Sequence, residues 1–266
     1  MSKLFKGNVT NNVVELNLLD PVGTPTVITK NTGVNVVEQI VGDFPASYYS
    51  FGSNGGYDVK GLVLGTSCTS IGSNAFEYCT ALTGDLVIPN SVTSIGSYAF
   101  HYCQGLTGSL TIPDSVTSIG SFAFGYLGTT PLGTLTIGNS VASIGSYAFS
   151  YSYFTGDLII PDSVTTIGDS GFADWILSNV TFNGNMVIGS GVTSIGSNAF
   201  YGVGTTALYI NCPASSWTGT DAFKSAFLLT NIYVHTNYVA GYDAAWKTAQ
   251  NTSATVSTWT NYPNIP

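Results

Sequence analysis

A block of about two dozen residues recurs along most of this chain, and the recurrence restricts its fold more than any other feature. The block is clearest at Leu86-Val-Ile-Pro-Asn-Ser-Val-Thr-Ser-Ile-Gly-Ser-Tyr-Ala-Phe-His-Tyr-Cys-Gln-Gly-Leu-Thr-Gly108 and returns with nearly the same letters from Leu110. Copies begin at Leu62, Leu86, Leu110, Leu135, Leu158, Met186 and Leu208, at intervals of 24, 24, 25, 23, 28 and 22 residues. A repeat of that length indicates a solenoid of stacked coils. One coil alone could not hold. About six apolar side chains contribute roughly 1.5–3 kcal/mol each, while ordering the backbone of ~24 residues costs about 1–2 kcal/mol per residue. Coils in register share one elongated core and pair their strands edge to edge.

The apolar positions assign each part of the coil. Leu110 and Ile112 flank one residue, so both face one side of a short strand. The same pair recurs at Leu62/Leu64, Leu86/Ile88, Leu135/Ile137, Leu158/Ile160, Met186/Ile188 and Leu208/Ile210. Pro89, Pro113 and Pro161 end the strand in a turn, because proline fixes φ and lacks a ladder donor. Val92, Val116, Val141, Val164 and Val192 open a second short strand that ends at an Ile-Gly pair such as Ile119-Gly120, where glycine is expected to permit a bend. An Ala-Phe step follows, with rings at Phe76, Phe100, Phe124, Phe149 and Phe200, and Phe172 keeps the ring after Gly171.

The pattern L-x-I-P-x-S-V-T-S-I-G-x-x-A-F-x-x-C-x-x-L-T resembles the BspA-type leucine-rich repeat over about 150 of the 266 residues. The resemblance implies a mainly β, curved right-handed solenoid with parallel strands and a surface-exposed binding or adhesion role. It implies no catalysis and no particular ligand. Gly138 and Gly189 depart from it at the proline, Cys68 at the valine, and Trp175 stands where Cys103 would fall.

Only 8% of the residues are charged, yet 44% are hydrophobic, so low charge here does not mean disorder. There is no arginine, and none of the six lysines lies between Gly61 and Leu208. That interval holds Glu77, Asp85, Asp114, Asp157, Asp162, Asp169 and Asp174. Nucleic-acid binding requires cations to displace counterions and attraction to anionic lipid requires them too; both are excluded as functions. The start of the chain lacks the apolar core of a cleavable signal peptide, and no run is long enough to span a membrane.

Catalysis, metal and cofactors are not expected. His101 sits in a variable slot shared with Glu77, Gly125, Ser150 and Ala173, and His235 lies far along the chain. Asp114 and Asp162 follow prolines and read as turn residues, with Asn139 in the same slot between them, rather than as acid catalysts or calcium ligands. The cysteines contain no C-x-x-C pair. Cys79 and Cys103 share one slot in adjacent coils and read as buried free thiols.

The candidate functional residues are aromatic. The slot before Ala-Phe carries Tyr98, Phe122 and Tyr147 in the middle coils, and the slot two after the phenylalanine carries Tyr102, Tyr126 and Tyr151. Tyr78 and Tyr153 extend the patch. Two uses are open: mutual packing that shields the loops, or a recognition surface for a protein or glycan. The residues between the inward strand pairs (Val63, Val87, Thr111, Thr136, Ile159, Val187, Tyr209) form a second outward surface, suited to strands or to a flat partner.

The expected organisation is an N-terminal β-rich cap or anchoring segment over 1–61, a solenoid of about six to seven coils over 62–235, and a C-terminal helical cap and tail over 236–266. In the first segment strands are expected at Val13–Leu19 and Thr26–Thr29, and a strand or short helix at Val34–Val41. A turn at Pro21–Pro25 and a Tyr-, Ser- and Gly-rich lead-in at Phe44–Tyr57 join them. In the last segment a helix is expected over Asn237–Gln250, capped by Asn237, with Val239, Tyr242 and Trp246 on its inner face and Trp259 and Tyr262 anchoring the tail. The function expected is non-enzymatic recognition or attachment on a virion, extracellular or cell surface. Residues 1–61 would serve self-association or virion assembly. The alternatives are a purely structural assembly protein and a bacterial cell-surface adhesin.

Overall fold

The computed structural model describes residues 6–10, 13–19, 25–31, 37–40, 61–66, 68–175 and 181–259. The expected turn at 21–24, the lead-in at 44–57 and the Tyr262 anchor lie outside the described residues, as does the ring of Trp259. The repeats wind into a solenoid of parallel strands with about eight turns.

Two ladders run its length. In the first, Leu110–Ile112 pairs in register with Leu135–Ile137. Leu158–Ile160, Asn185–Ile188, Ala207–Ile210, Asn231–His235 and Thr255–Trp259 then pair in succession, all parallel. The second is a six-stranded sheet of two-residue strands, from Ser70–Ile71 to Ser194–Ile195. The period-2 pattern does the sorting: Leu110 and Ile112 are buried and Thr111 between them is exposed. Between the ladders lies a spine of phenylalanines. Phe76, Phe100, Phe124, Phe149, Phe172, Phe200 and Phe223 stack at centroid distances of 5.0–5.8 Å, all essentially without solvent exposure.

The polar letters of the repeat stitch one coil to the next. Ser91 Oγ donates to the Cys68 carbonyl at 2.7 Å, and Ser163 Oγ to that of Val141 at 2.8 Å. Thr117 Oγ1 donates to the Thr93 carbonyl at 3.1 Å. Asp114 Oδ1 accepts the Asn139 backbone N–H and Asp162 Oδ1 that of Ser190, each at 2.6 Å. These aspartates therefore hold turns together across coils.

The glycine of the Ile-Gly pair has a different role from the expected bend. Its φ is not positive at Gly96 or Gly120. A Cβ at Gly96 would lie 2.4 Å from Ser73 N, and one at Gly120 2.4 Å from Ser97 N. Glycine is required because successive coils touch backbone to backbone there.

At the N-terminal side, Lys6–Thr10, Val13–Leu19 and Pro25–Asn31 form an antiparallel sheet. Val37–Ile40 is a strand, not a helix. It pairs in parallel with Gly61–Leu64, placing Glu38 against Leu62 at the offset of one coil. At the C-terminal side the helix is shorter than expected. It spans Ala244–Ala249, and its N-cap is Asp243, whose Oδ1 accepts the Trp246 N–H at 2.9 Å. Asn237 instead lies in a 3-10 turn, Thr236–Tyr238. Tyr242 and Trp246 are buried as expected, but Val239 is 45% exposed, because the helical register does not reach it. The last coil is closed by Tyr242, whose hydroxyl accepts from Trp217 Nε1 at 3.1 Å and donates to the Cys212 carbonyl at 2.7 Å.

Candidate functional site

The residues around the Ala-Phe step follow a repeating hydrogen-bond scheme. The His101 and Cys103 N–H groups bond within the coil, to the Tyr98 and Phe100 carbonyls at 3.2 Å each. Those of Tyr98, Phe100 and Tyr102 bond to the next coil, at Ser121, Ala123 and Gly125, at 2.8–3.0 Å. The scheme places two residues per coil in left-handed backbone, four positions apart, except in the coil of Ser170, which has one. Outer coils fill these places with Asn74 (φ 59°), Tyr78 (61°), Ser170 (56°), Asn198 (56°), Gly202 (70°), Asp221 (58°) and Ser225 (62°), of which asparagine, aspartate and glycine adopt φ > 0 most readily. The middle coils fill them with Tyr98, Tyr102, Phe122, Tyr126, Tyr147 and Tyr151, at φ of 56–60°. An aromatic side chain in this region costs about 1–2 kcal/mol of backbone strain.

The structure arranges those six residues, together with Tyr78, in two columns. Tyr98, Phe122 and Tyr147 stack at 4.8 and 4.6 Å. Tyr78, Tyr102, Tyr126 and Tyr151 stack at 4.9, 4.3 and 4.1 Å. All are half-buried. Face-to-face stacking occupies the ring faces, so each column offers mainly ring edges. In the second column the Tyr126 hydroxyl is pushed well above the ordinary phenol range, first by desolvation and then by the neighbouring phenols of Tyr151 and Tyr102.

His101 sits between the columns. Its ring meets Tyr78, Tyr98, Tyr102, Phe122 and Tyr126 edge-on at 4.6–5.8 Å. It leans over Gly125 of the next coil, where a Cβ would come within 3.2 Å of His101 Cδ2. Its Nδ1 lies 3.4 Å from Glu77 Oε1. Burial lowers the His101 pKa and outweighs the opposite pull of the Glu77 carboxylate. The variable slot thus holds the wedge that spaces the columns. The signal for this geometry was present in the sequence: asparagine and glycine share the aromatic slots, which marks positive φ.

Beside the second column lies a cleft of about 190 Å³ lined by Gln104, Tyr126, Gly128, Thr129, Tyr151 and Tyr153. Its wall is a departure from the repeat, Leu127-Gly-Thr-Thr-Pro-Leu132, pinned at both ends. Leu127 N–H donates to Ser152 Oγ at 3.1 Å, and Leu132 N–H to the Tyr153 carbonyl at 2.8 Å. Sequence reasoning missed Gln104 and Thr129 because Gln104 fills a variable slot of the repeat and Thr129 lies in an irregular segment. The outward strand face forms a shallow groove of about 520 Å³, where Thr136, Ile159 and Val187 are bordered by Asp157 and Asp162.

All four cysteines are buried free thiols. Cys103 Sγ donates to the Phe76 carbonyl at 3.1 Å, and burial pushes the Cys212 thiol up to about 11. Among the described residues no group of three or more His, Cys, Asp or Glu is placed to hold a metal ion, and no helix is long and apolar enough to cross a membrane.

The chain is similar to a leucine rich cell surface protein from Faecalibacterium prausnitzii, with 18% identity, 96% of this chain and 95% of that chain covered, and a TM-score of 0.34. It is also similar to the pneumococcal vaccine antigen PcpA, with 14% identity, 88% of each chain and a TM-score of 0.32. A leucine-rich repeat protein from Bacteroides ovatus aligns at 16% identity over 98% of this chain and 99% of that chain, with a TM-score of 0.26. No curated protein sequence matches it. The family model for the BspA type leucine rich repeat region matches in six copies, over residues 69–189 and 184–261. Those residues contain both ladders, the phenylalanine spine and the aromatic columns, and the chain belongs to the BspA-type leucine-rich repeat family.

Proposed function

We propose that this protein is a non-enzymatic recognition module, displayed on a surface, that binds a protein or glycan partner through the two aromatic columns. The observation that carries this reading is the strained backbone under the columns. Middle coils place tyrosine and phenylalanine at both slots, where outer coils of the same chain, Tyr78 excepted, place asparagine, serine, aspartate or glycine. The fold therefore tolerates polar or small residues at these slots, and a use beyond folding accounts for the aromatic choice. Tyrosine offers large contact area at small entropic cost, and membership of the BspA-type family agrees with an adhesive role.

The test is a double substitution, Tyr98→Asn with Tyr102→Asn, that puts a residue tolerant of positive φ in each slot. Wild type and variant are applied to printed arrays of glycans and of extracellular-matrix and cell-wall proteins. The variant is expected to keep its circular dichroism and melting temperature and to lose array binding at least tenfold. Undiminished binding would sink the column reading.

Location on a virion, with residues 1–61 as the attachment segment, is part of the same proposal. Mass spectrometry of particle, cell-surface and cytosolic fractions tests it. Enrichment in particles supports it, enrichment on cells favours an adhesin, and confinement to cytosol overturns surface display. A lattice-stabilising protein without a ligand is the alternative that a blank array would favour.

A further inference from the structure

We propose that the cleft formed by Gln104, Tyr126, Gly128, Thr129, Tyr151 and Tyr153 holds a single ring of a neutral sugar within a glycan. This deepens the recognition reading and rests on it. Three coils contribute: the first gives Gln104, the second Tyr126 to Thr129, and the third Tyr151 and Tyr153. The cleft occurs where the array is irregular. The Leu127–Leu132 segment departs from the repeat, yet hydrogen bonds to the next coil fix both its ends. Gly128 adopts φ +66°, and a Cβ there would meet the Leu132 side chain at 2.9 Å. The wall is therefore fixed at both ends, and at Gly128 it offers backbone alone.

The lining chemistry selects the ligand. Three phenols, one primary amide and one threonine hydroxyl can each donate and accept, as sugar hydroxyls do. None is charged at neutral pH. Desolvation raises both Tyr126 and Tyr153, and the Asp174 carboxylate raises Tyr153 further, so both phenols stay protonated. All six lysines lie outside residues 61–208, and that same carboxylate is near Tyr153. Phosphates, sulfates and acidic sugars would meet no countercharge and a repulsive one. A space of about 190 Å³ corresponds to roughly six waters at ~30 Å³ each. It falls below the ~300–1,000 Å³ of sites for drug-sized ligands and is of a size for one sugar ring. Tyr153 takes no part in the two columns, so its ring can serve the cleft.

The experiment is saturation-transfer NMR on the full chain with methyl glycosides of glucose, galactose, mannose and N-acetylglucosamine, and with glucuronate and inorganic phosphate as competitors. At least one neutral glycoside is expected to receive magnetisation from tyrosine rings, with no competition from either anion. Gln104→Ala and Tyr153→Phe should each reduce the transfer at least fivefold, while Lys224→Ala, in a distant coil, leaves it in place. No transfer to any glycoside, equal transfer in both cleft variants, or displacement by an anion would overturn the proposal. The two readings fail separately. Array binding that needs Tyr98 and Tyr102 but no glycoside signal removes the sugar cleft and keeps the columns. A glycoside signal that needs Gln104, with array binding indifferent to Tyr98 and Tyr102, removes the columns and keeps the cleft.

Discussion

Tyr126 stands at φ 58° between two parallel rings, at 4.3 Å from Tyr102 and 4.1 Å from Tyr151. Left-handed backbone costs an aromatic residue about 1–2 kcal/mol, and each stacked pair returns about 0.5–1.5 kcal/mol. The two effects are close to balanced. Tyr126→Asn should therefore shift the denaturation midpoint little, whereas Phe124→Ala in the buried spine should cost about 3–5 kcal/mol. A urea titration of both variants checks this, and a large loss for Tyr126→Asn would make the column structural. His101 yields a second expectation. A carboxylate can only accept, so Nδ1 bears the proton toward Glu77 and Nε2 titrates. The folded pKa lies below the ordinary 6.5, so the unfolded chain takes up a proton first as pH falls. The histidine's contribution is full above about pH 6.5 and is lost as pH falls through the folded pKa. His101→Ser, copying Ser150 in the same slot, should flatten the fall in melting temperature between pH 7 and 5. An unchanged slope would assign the pH dependence to other groups. At this scale the sequence was informative about identity and weak on conformation. It pointed to the aromatic slots, but the positive φ followed only from reading Asn74, Asn198 and Gly202 together with Tyr98 and Tyr102. No local pattern placed His101 between the columns, because its neighbours come from three coils.

The coil is the element that the sequence makes most legible. Its strand pair, its valine and its phenylalanine are spaced by a recurring backbone geometry, and from Leu64 to Ile210 the expected inward positions are buried; Leu62, at the start of the array, is partly buried. The Ile-Gly pair was harder to interpret. A glycine in a turn suggests a bend, yet the determining contact is with the preceding coil, 24 residues away, and no single-coil argument contains it. Gly120→Ala separates the two causes. Alanine is compatible with the backbone at this position, where φ is not positive, but its Cβ would meet Ser97 N at 2.4 Å. Backbone cannot yield as a side chain tip can, so the coils must separate. The expected cost is about 1–3 kcal/mol, the range of overpacked cores. A control, Gly84→Ala, has φ +87° and open space around the added atom, and should cost only the strain of its φ. Chemical denaturation of the pair checks the order; a Gly120→Ala variant as stable as wild type would refute the contact explanation. The helix failed expectation for a related reason. The spacing of Val239, Tyr242 and Trp246 suits one helical face. Asp243 nevertheless accepts the Trp246 N–H and starts the helix there, since a capping side chain decides a boundary that periodicity cannot.

At the scale of the whole molecule, stability is shared along a line. Each coil touches only its neighbours, so the ends govern how the stack opens. The described C-terminal side is closed by one polar knot inside an aromatic cluster. Tyr242 accepts from Trp217 Nε1 and donates to the Cys212 carbonyl, with Trp246 packed edge-on against Trp217 at 5.4 Å. Burial pushes the Tyr242 phenol far above its ordinary range, so it remains a donor throughout the neutral range. Tyr242→Phe preserves the ring and removes the hydroxyl. It orphans a buried indole N–H and a buried carbonyl, each worth about 1–3 kcal/mol when unsatisfied. In a linear stack that loss cannot spread evenly. Amide exchange should accelerate first across residues 208–235, whereas amides near Phe100, Phe124 and Phe149 keep wild-type protection. Hydrogen exchange with mass spectrometry resolves the two regions. Uniform loss along the chain would mean that the array opens as one cooperative unit. A loss confined to the last coils would mean that the middle coils, which carry both aromatic columns, are insulated from events at the cap. That insulation is what a recognition surface held at the centre of a solenoid needs, since strained backbone stays strained only while its neighbours hold it.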